Sequence, residues 1–330
     1  MRPLSYTRPQ SVNDAIAIVS ANPSSSFLAG GTTEVDLVRL GVAHPDLLVD
    51  INELPLAELE ELPGGGLRIG ALARMSDVAR AQSVMERYPA MSEALLLGAS
   101  EQLRNMASIG GNLRQRVRCP YFRDNVSPCN KREPGTGCSA LEGLNRGHAI
   151  LGTSEHCIAT HPSDVAVALV AFDAVVRTVG PSGPREIAIE DFYLLPGDTP
   201  EAEHQLEHGE LIAAIELPPL EVARGSLYLK VRDRQSYEFA LVSVAAALEV
   251  REGVIADVRL ALGGVGTKPW RARRAEAELV GAPATAAEFA SAAALELEPA
   301  DVREHNAFKV ELAKRAIVRG LTSAMSGGAR

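Results

Sequence analysis

The stretch Phe27-Leu28-Ala29-Gly30-Gly31-Thr32-Thr33-Glu34-Val35 decides how the start of this chain folds. A short apolar run ends in two glycines and two threonines, and helical spacing of apolar residues then resumes over residues 34–40. A helix over residues 10–22 precedes it, with Ser11 as its N-cap. The sequence therefore predicts a helix, a buried strand over residues 26–29, a glycine-rich turn and a second helix.

A second pair of glycines occurs in Ser108-Ile109-Gly110-Gly111-Asn112, which we interpret as another tight turn. Paired glycines let the backbone approach an anion closely and turn its N–H groups toward it. Neither segment is a Gly-x-Gly-x-x-Gly fingerprint or a Walker loop. Each one alone is more typical of an ordinary turn, because Gly-Gly is a common turn dipeptide. Together they favour a cradle for the diphosphate of a dinucleotide.

The bulk composition limits the class of protein. The chain has 330 residues, enough for two domains, and a formal net charge of −9, which argues against a nucleic-acid surface. No run of 18 apolar residues predicts a membrane span. Residues 1–6 lack the apolar region of a signal peptide. We expect a cytoplasmic protein by its own sequence, or a periplasmic one if a partner carries it in export.

The remaining pattern predicts two domains that meet near residue 220. Strands are expected near residues 49–51, 67–71, 174–179 and 211–217, and helices at 75–83, 91–99 and 164–172. Beyond the boundary, strands at 226–232, 241–250 and 256–262 indicate an antiparallel sheet, followed by helices at 271–280, 286–294 and 305–320. The predicted domains are residues 1–220 and 221–330.

The four cysteines of the chain, Cys119, Cys129, Cys138 and Cys157, all lie within 39 residues. The surrounding segment, residues 114–148, has no periodicity, and a loop this long is uncommon unless a ligand organises it. Structural zinc usually shows a Cys-x-x-Cys knuckle, and two disulfides need an oxidising compartment. A [4Fe–4S] cluster tolerates wide spacing. Spacing alone leaves zinc and a cluster equally favoured, with disulfides behind.

Basic residues crowd the cysteine segment and help to weigh these alternatives. A cluster bound by four thiolates is negatively charged, so nearby cations stabilise it. A solvated loop face explains about half of such residues equally well. The basic residues are Arg114, Arg116, Arg118, Arg123, Lys131 and Arg132. His148, His156 and His161 are interpreted as hydrogen-bonding loop residues rather than ligands, because four thiolates already complete a site.

Five segments resemble the FAD-binding subunit of the xanthine dehydrogenase, or molybdenum hydroxylase, family: residues 27–37, 102–113, 161–164, 209–212 and 230–237. They occur in the family's order and cover nearly the whole chain. The resemblance implies an α+β protein. It would have a FAD-binding domain of the vanillyl-alcohol-oxidase type in two α/β parts, and then a smaller α+β domain of the CO-dehydrogenase flavoprotein type.

The resemblance also implies which residues bind FAD. Asp164 would bind the ribose or adenine side, Ile212 would touch the flavin ring, and Lys230 would hydrogen-bond near its polar edge. Tyr237 is either a residue over the flavin that limits access by a nicotinamide or an ordinary core or interface tyrosine. The diphosphate would be held by Leu28, Ala29, Gly30, Gly31, Thr32, Thr33, Glu34 and Val35, together with Ser108, Ile109, Gly110, Gly111 and Asn112.

The cysteine segment resembles an insertion, at about residues 114–158, in the flavin subunits of periplasmic aldehyde oxidoreductases, where Cys119, Cys129, Cys138 and Cys157 would hold a [4Fe–4S] cluster. The 4-hydroxybenzoyl-CoA reductase subunits carry a cluster there too, in different surroundings. The implied function is electron transfer through FAD and [4Fe–4S] in a molybdenum-dependent aldehyde oxidoreductase, with no catalytic side chain of its own. Implied partners are a molybdopterin-binding large subunit, a [2Fe–2S] small subunit and an external electron acceptor.

Two rival functions belong to other classes. A stand-alone flavin oxidase of the same fold should show its own acid–base pair, and the sequence offers no candidate constellation. A zinc-stabilised binding protein without enzymatic activity would contain zinc and no flavin. The absorbance and metal content of the purified protein separate these hypotheses.

Overall fold

A computed structural model describes residues 3–327 of the chain. Met1 and Arg2, which begin the segment predicted not to be a signal peptide, lie outside the described residues. Three sheets organise the described part, of three, five and four strands. Helices pack on all three, so the predicted α+β class is confirmed. The predicted domain limits at residues 1–220 and 221–330 stay a prediction.

The first sheet is parallel and holds the first glycine segment at its edge. Its strand order is β1-β3-β2, so β3 lies between the two strands that precede it in the chain. Ser11 caps helix α1 by accepting a hydrogen bond from the Asp14 N–H, as its sequence predicted. The elements of this part are β1 (Ser5–Thr7), α1 (Val12–Ala21), β2 (Ser25–Leu28), α2 (Glu34–Leu40) and β3 (Leu47–Asp50).

The second sheet is antiparallel and has the order β4-β5-β8-β6-β7. Its strands are β4 (Leu59–Glu61), β5 (Leu67–Gly70), β6 (Val175–Gly180), β7 (Gly183–Ala188) and β8 (Leu211–Leu217). The helices between β5 and β8 are α3 (Met75–Arg80), α4 (Gln82–Arg87), α5 (Pro89–Leu97), α6 (Glu101–Met106), α7 (Ile109–Leu113), α8 (Pro120–Arg123), α9 (Asp164–Ala171) and α10 (Ile189–Phe192). Helix α9 is apolar all round and every residue after its first is buried, so it forms the centre of the core.

The third sheet is antiparallel, with the order β12-β11-β10-β9. A short 3₁₀ helix (Glu221–Gly225) leads into it. The strands are β9 (Leu227–Val231), β10 (Val242–Arg251), β11 (Val254–Gly263) and β12 (Trp270–Arg271), and the helices are α11 (Arg273–Leu279), α12 (Ala286–Glu296) and α13 (Phe308–Met325). The predicted antiparallel sheet beyond residue 220 and the three helices after it are therefore confirmed within a few residues.

One prediction about local structure was wrong. Residues 108–112 are not a tight turn, because they form the N-cap and most of helix α7. Ser108 accepts a hydrogen bond from the Gly111 N–H, and this cap starts a helix despite the two glycines. The predicted helix over residues 75–83 is also interrupted, since Ala81 takes extended angles between α3 and α4.

Candidate functional site

The first glycine segment borders an open cleft of about 1190 Å³. Residues 29–34 line one side of it, and Ile212 of β8 lies on the wall, as does the start of α7. Gly31 has a φ of +71°, which a side chain disfavours. A Cβ on Gly30 would lie 2.0 Å from the Met106 carbonyl oxygen. The backbone can therefore follow this path only with glycine at position 30.

Backbone N–H groups of this segment have no acceptor within the described part of the chain. The first to donate a backbone hydrogen bond is that of Val35, to the carbonyl of Gly31. Thr33 precedes helix α2 without capping it through its side chain. The N–H groups of residues 30–34 are therefore left for an acceptor that the protein itself does not supply, and an anion fits this requirement.

The second glycine segment differs, although it lies on the same cleft. Ser108, Gly110 and Gly111 line the wall. Their N–H groups are used within the chain: Ile109 donates to Ala73, Gly110 to Ala71 and Asn112 to Ser108. A Cβ on Gly110 would lie 2.8 Å from the Ala71 Cβ. In this structure the pair of glycines permits close packing of α7 on the sheet.

Leu28, Val35, Ile109 and Asn112 are predicted FAD-binding residues that do not line this cleft. Leu28 and Val35 flank Gly31, where a Cβ would meet both side chains within 3.5 Å. Ile109 is fully buried in the main core. The Asn112 side-chain oxygen accepts a hydrogen bond of 2.6 Å from the Ser163 hydroxyl, and so ties α7 to the cap of α9.

Asp164 and Lys230, predicted for separate parts of the ligand, form an ion pair of 2.8 Å. Only 1% of the Lys230 side chain is exposed, and its ammonium also donates to the Leu97 carbonyl. The Tyr228 hydroxyl donates to the other oxygen of Asp164. Burial raises the pKa of Asp164, although the Lys230 ammonium opposes that rise. The two residues are therefore bonded to each other, and Lys230 lines neither the first cleft nor the cleft that Asp164 borders.

Asp164 lines a second cleft of about 1070 Å³, which Arg118, Cys119 and Phe239 also border. The Arg118 guanidinium lies over the Phe239 ring, 5.3 Å from its centre. Tyr237 stands two residues earlier, on the exposed loop between β9 and β10, with a φ of +52°. The two clefts lie on either side of residues 114–118.

All four cysteines line one small pocket of about 280 Å³, and all four are free thiols. Cys129 and Cys138 lie opposite each other in an antiparallel bridge. Within residues 3–327, no group of three or more His, Cys, Asp or Glu side chains is arranged to hold a metal ion. The cysteines thus share one pocket without converging on a single point.

The thiols of Cys119 and Cys157 lie next to polar groups of the protein. The His148 Nε2 atom lies 3.2 Å from the Cys119 sulfur, and the Ala159 N–H donates to the Cys157 sulfur at 3.4 Å. Burial raises the pKa of Cys119 to about 12 and that of Cys157 to about 11. Cys119 lines the second cleft as well as the cysteine pocket.

Sequence reasoning missed two residues of the first cleft. Arg114 and Arg116 line it, together with Gly209, whose φ is +84°. The sequence places the arginines only in the surroundings of the cysteines. Their spacing was the available signal, because alternate residues of an extended segment face the same side.

Residues 2–220 match the family described as FAD binding domain in molybdopterin dehydrogenase, and residues 227–324 match the CO dehydrogenase flavoprotein C-terminal domain. The chain belongs to the FAD-binding subunits of the molybdenum hydroxylase family. Such subunits are the medium chains of multi-subunit oxidoreductases. Within residues 3–327, no helix is long and apolar enough to cross a membrane.

Relatives of this FAD-binding subunit match it along most of their length. The aldehyde oxidoreductase FAD-binding subunit PaoB of Escherichia coli is 48% identical over 98% of this chain and 99% of its own. The glyceraldehyde dehydrogenase medium chain of Sulfolobus acidocaldarius is 29% identical over 84% of this chain and 81% of its own. A carbon monoxide dehydrogenase structure from Hydrogenophaga pseudoflava superposes with a TM-score of 0.77 at 24% identity, covering 99% of this chain and 98% of that chain, which shows the shared fold.

The first cleft fits FAD on its own geometry. N–H groups without an acceptor border the cleft, and position 30 has no room for a side chain. A FAD-binding subunit needs an anion cradle of this kind for the diphosphate.

Proposed function

We propose that this chain is the FAD and [4Fe–4S] electron-transfer subunit of a molybdenum-dependent aldehyde oxidoreductase. Identity of 48% along nearly the whole of both chains to a subunit of an aldehyde oxidoreductase supports the substrate class. A second relative is a medium chain of a glyceraldehyde dehydrogenase. Membership of a family of medium subunits argues against a stand-alone flavin oxidase.

The observation that carries the proposal is the common pocket of Cys119, Cys129, Cys138 and Cys157. Four thiolates are the usual ligand set of a [4Fe–4S] cluster. A zinc ion requires four ligand atoms within about 2.3 Å of one point, an arrangement not found among residues 3–327. A cluster is bulkier than a single ion and holds its thiolates farther apart. The pocket therefore favours a cluster over zinc.

FAD, when bound, supplies a carrier that accepts electrons and passes them on. We propose that the N–H groups of residues 30–34 bind its diphosphate, while Ser108, Gly110 and Gly111 shape the wall. Asp164, which lines the second cleft, would bind the ribose or adenine side, and the Lys230 ammonium would hold its carboxylate in place. Ile212, on the wall of the first cleft, would touch the flavin ring.

Electrons would arrive from a [2Fe–2S] small subunit, after aldehyde oxidation on a molybdopterin-binding large subunit, and leave to an external acceptor. Electrons would pass between the cysteine centre and the FAD near Cys119, because this residue lines both the cysteine pocket and the second cleft. We also propose the division into a FAD-binding domain over residues 1–220, with the insertion at about 114–158, and a C-terminal domain over 221–330. The compartment stays a prediction.

Quantifying iron and flavin in the purified protein tests the proposal. We expect roughly four irons and one FAD per chain, with the broad visible absorbance of an iron–sulfur protein. Cys129→Ala should abolish the iron. Zinc in place of iron, or iron that survives the loss of Cys129, would contradict the cluster assignment. Loss of aldehyde oxidation on omission of this chain from the assembled enzyme tests the electron-transfer role.

A further inference from the structure

The side chains that line the first cleft include carboxylates, which repel a diphosphate, and two arginines, which attract it. Three carboxylate residues line this cleft, namely Glu34, Glu207 and Glu210. Arg114 and Arg116 line it as well, and both come from the start of the cysteine insertion. Glu210 is ion-paired with Arg185 at 3.0 Å, whereas Glu34 and Glu207 form no ion pair within residues 3–327. A diphosphate is anionic, so without the arginines these two carboxylates would repel it.

The positive charge of Arg114 is available to bind an anion, because this residue forms no ion pair within residues 3–327. Its Nε donates to Nε2 of His204 at 3.3 Å, and the terminal nitrogens have no partner among the described residues. Burial and the neighbouring Arg114 and Arg116 lower the pKa of His204 to about 3, so the imidazole is neutral and accepts this bond. The contact orients Arg114 without neutralising it. A guanidinium with open donors is well suited to phosphate oxygens.

Arg116 lines the first cleft and also contacts Phe122, a residue that lines the cysteine pocket. Its guanidinium forms an ion pair with Glu203 and lies over the Phe122 ring, 4.9 Å from its centre. Phe122 is buried in a small apolar cluster with Val117, Cys129 and Cys157. Arg114 and Arg116 line the first cleft, whereas Val117 packs in that apolar cluster and Cys119 lines the cysteine pocket.

We propose that Arg114 binds the diphosphate of the dinucleotide, and that Arg116 holds the segment in place against the cysteine centre behind it. This inference rests on the proposed function. The FAD site is then completed by the insertion, and the iron centre acts as a support for flavin binding. Loss of the centre loosens the segment and withdraws the Arg114 cation from the cleft.

The first test replaces Arg114→Gln in the full chain and measures the Kd for FAD by quenching of flavin fluorescence. Removing one charged donor should weaken binding about tenfold to a hundredfold, with the iron content unchanged. Salt should weaken FAD binding to the parent chain more than to the variant. Arg39→Gln is the matched control, since it removes the same charge from an exposed position outside the cleft. Equal Kd values for both variants would overturn the role of Arg114.

The second test removes the iron centre. Cys129→Ala should lose iron and also bind FAD at least about tenfold more weakly. Because this variant could fold poorly, the parent chain is also stripped of iron with a chelator under mild oxidation and then reconstituted. Flavin affinity should fall with the iron and return with it. An unchanged Kd in iron-free protein would overturn the supporting role. Absence of iron from the parent protein would refute the proposed cluster instead, and the Arg114→Gln result would still decide the diphosphate contact.

Discussion

Two segments of this protein carry the same Gly-Gly pair on the same cleft, yet they differ in where their N–H groups point. Around Gly30 and Gly31 the N–H groups have no acceptor in the described chain. Around Gly110 and Gly111 every N–H from residue 109 to residue 112 already has one. Identical dipeptides therefore leave N–H groups without an acceptor in one place and permit close packing in the other.

The residue before the helix explains the difference. Ser108 caps α7 with its hydroxyl, whereas Thr33 makes no side-chain cap for α2. A capped helix satisfies its own first turn, and an uncapped one leaves donors for something else. In this protein, the number of N–H groups without an acceptor distinguishes the two segments, whereas their glycine content does not.

The largest expected effect comes from Gly30→Ala. The added Cβ would lie 2.0 Å from the Met106 carbonyl oxygen, so the segment must move away from α6. We expect a loss of about 1–3 kcal/mol in the free energy of unfolding of the apoprotein and at least a hundredfold weaker FAD binding. Urea denaturation and fluorescence titration measure the two quantities. Gly225→Ala is the control, because a Cβ there meets nothing within 4 Å.

Gly110→Ala should lower the free energy of unfolding while changing the affinity for FAD only slightly. Its Cβ would press on Ala71 at 2.8 Å, which again costs about 1–3 kcal/mol of unfolding free energy. The N–H groups of this segment are engaged with the chain, so FAD binding should weaken much less than in Gly30→Ala. A loss of FAD affinity as large as that of Gly30→Ala would show that the two segments are equivalent after all.

The smallest effects come from the matched pair Ser108→Ala and Thr33→Ala. Loss of the Ser108 cap should destabilise the apoprotein by about 1 kcal/mol. Thr33→Ala removes no cap and should change the stability by less than about 0.5 kcal/mol. Thermal unfolding of the two apoproteins compares them directly. The opposite order of stabilities would contradict the capping argument.

Much of the fold could be predicted from its periodicity. The hairpin of β10 and β11 has long apolar runs on both sides of a turn, and its limits were predicted closely. Strand β7 was not predicted, because Pro184, Arg185 and Glu186 interrupt the apolar alternation typical of a strand. Helix α7 was taken for a turn, because the two glycines outweighed the Ser108 cap signal.

The site was only partly predictable, since contacts between distant segments leave no local pattern. The ion pair of Asp164 and Lys230 joins residues 66 positions apart, and the shared pocket of the cysteines depends on the path of the loop between them. The place of Arg114 on the first cleft was likewise visible only once α7 and the glycine segment were seen together. Resemblance to a family supplied the FAD-binding residues, and the structure showed how differently the two glycine segments use their N–H groups.

Hydrogen exchange of the backbone amides, measured by NMR or mass spectrometry with and without FAD, tests this difference most directly. Amides of residues 30–34 should exchange rapidly in the apoprotein and become protected when FAD binds. Amides of residues 109–112 should be protected in both states. Protection that appears on FAD binding only at residues 109–112, with residues 30–34 unaffected, would contradict the account.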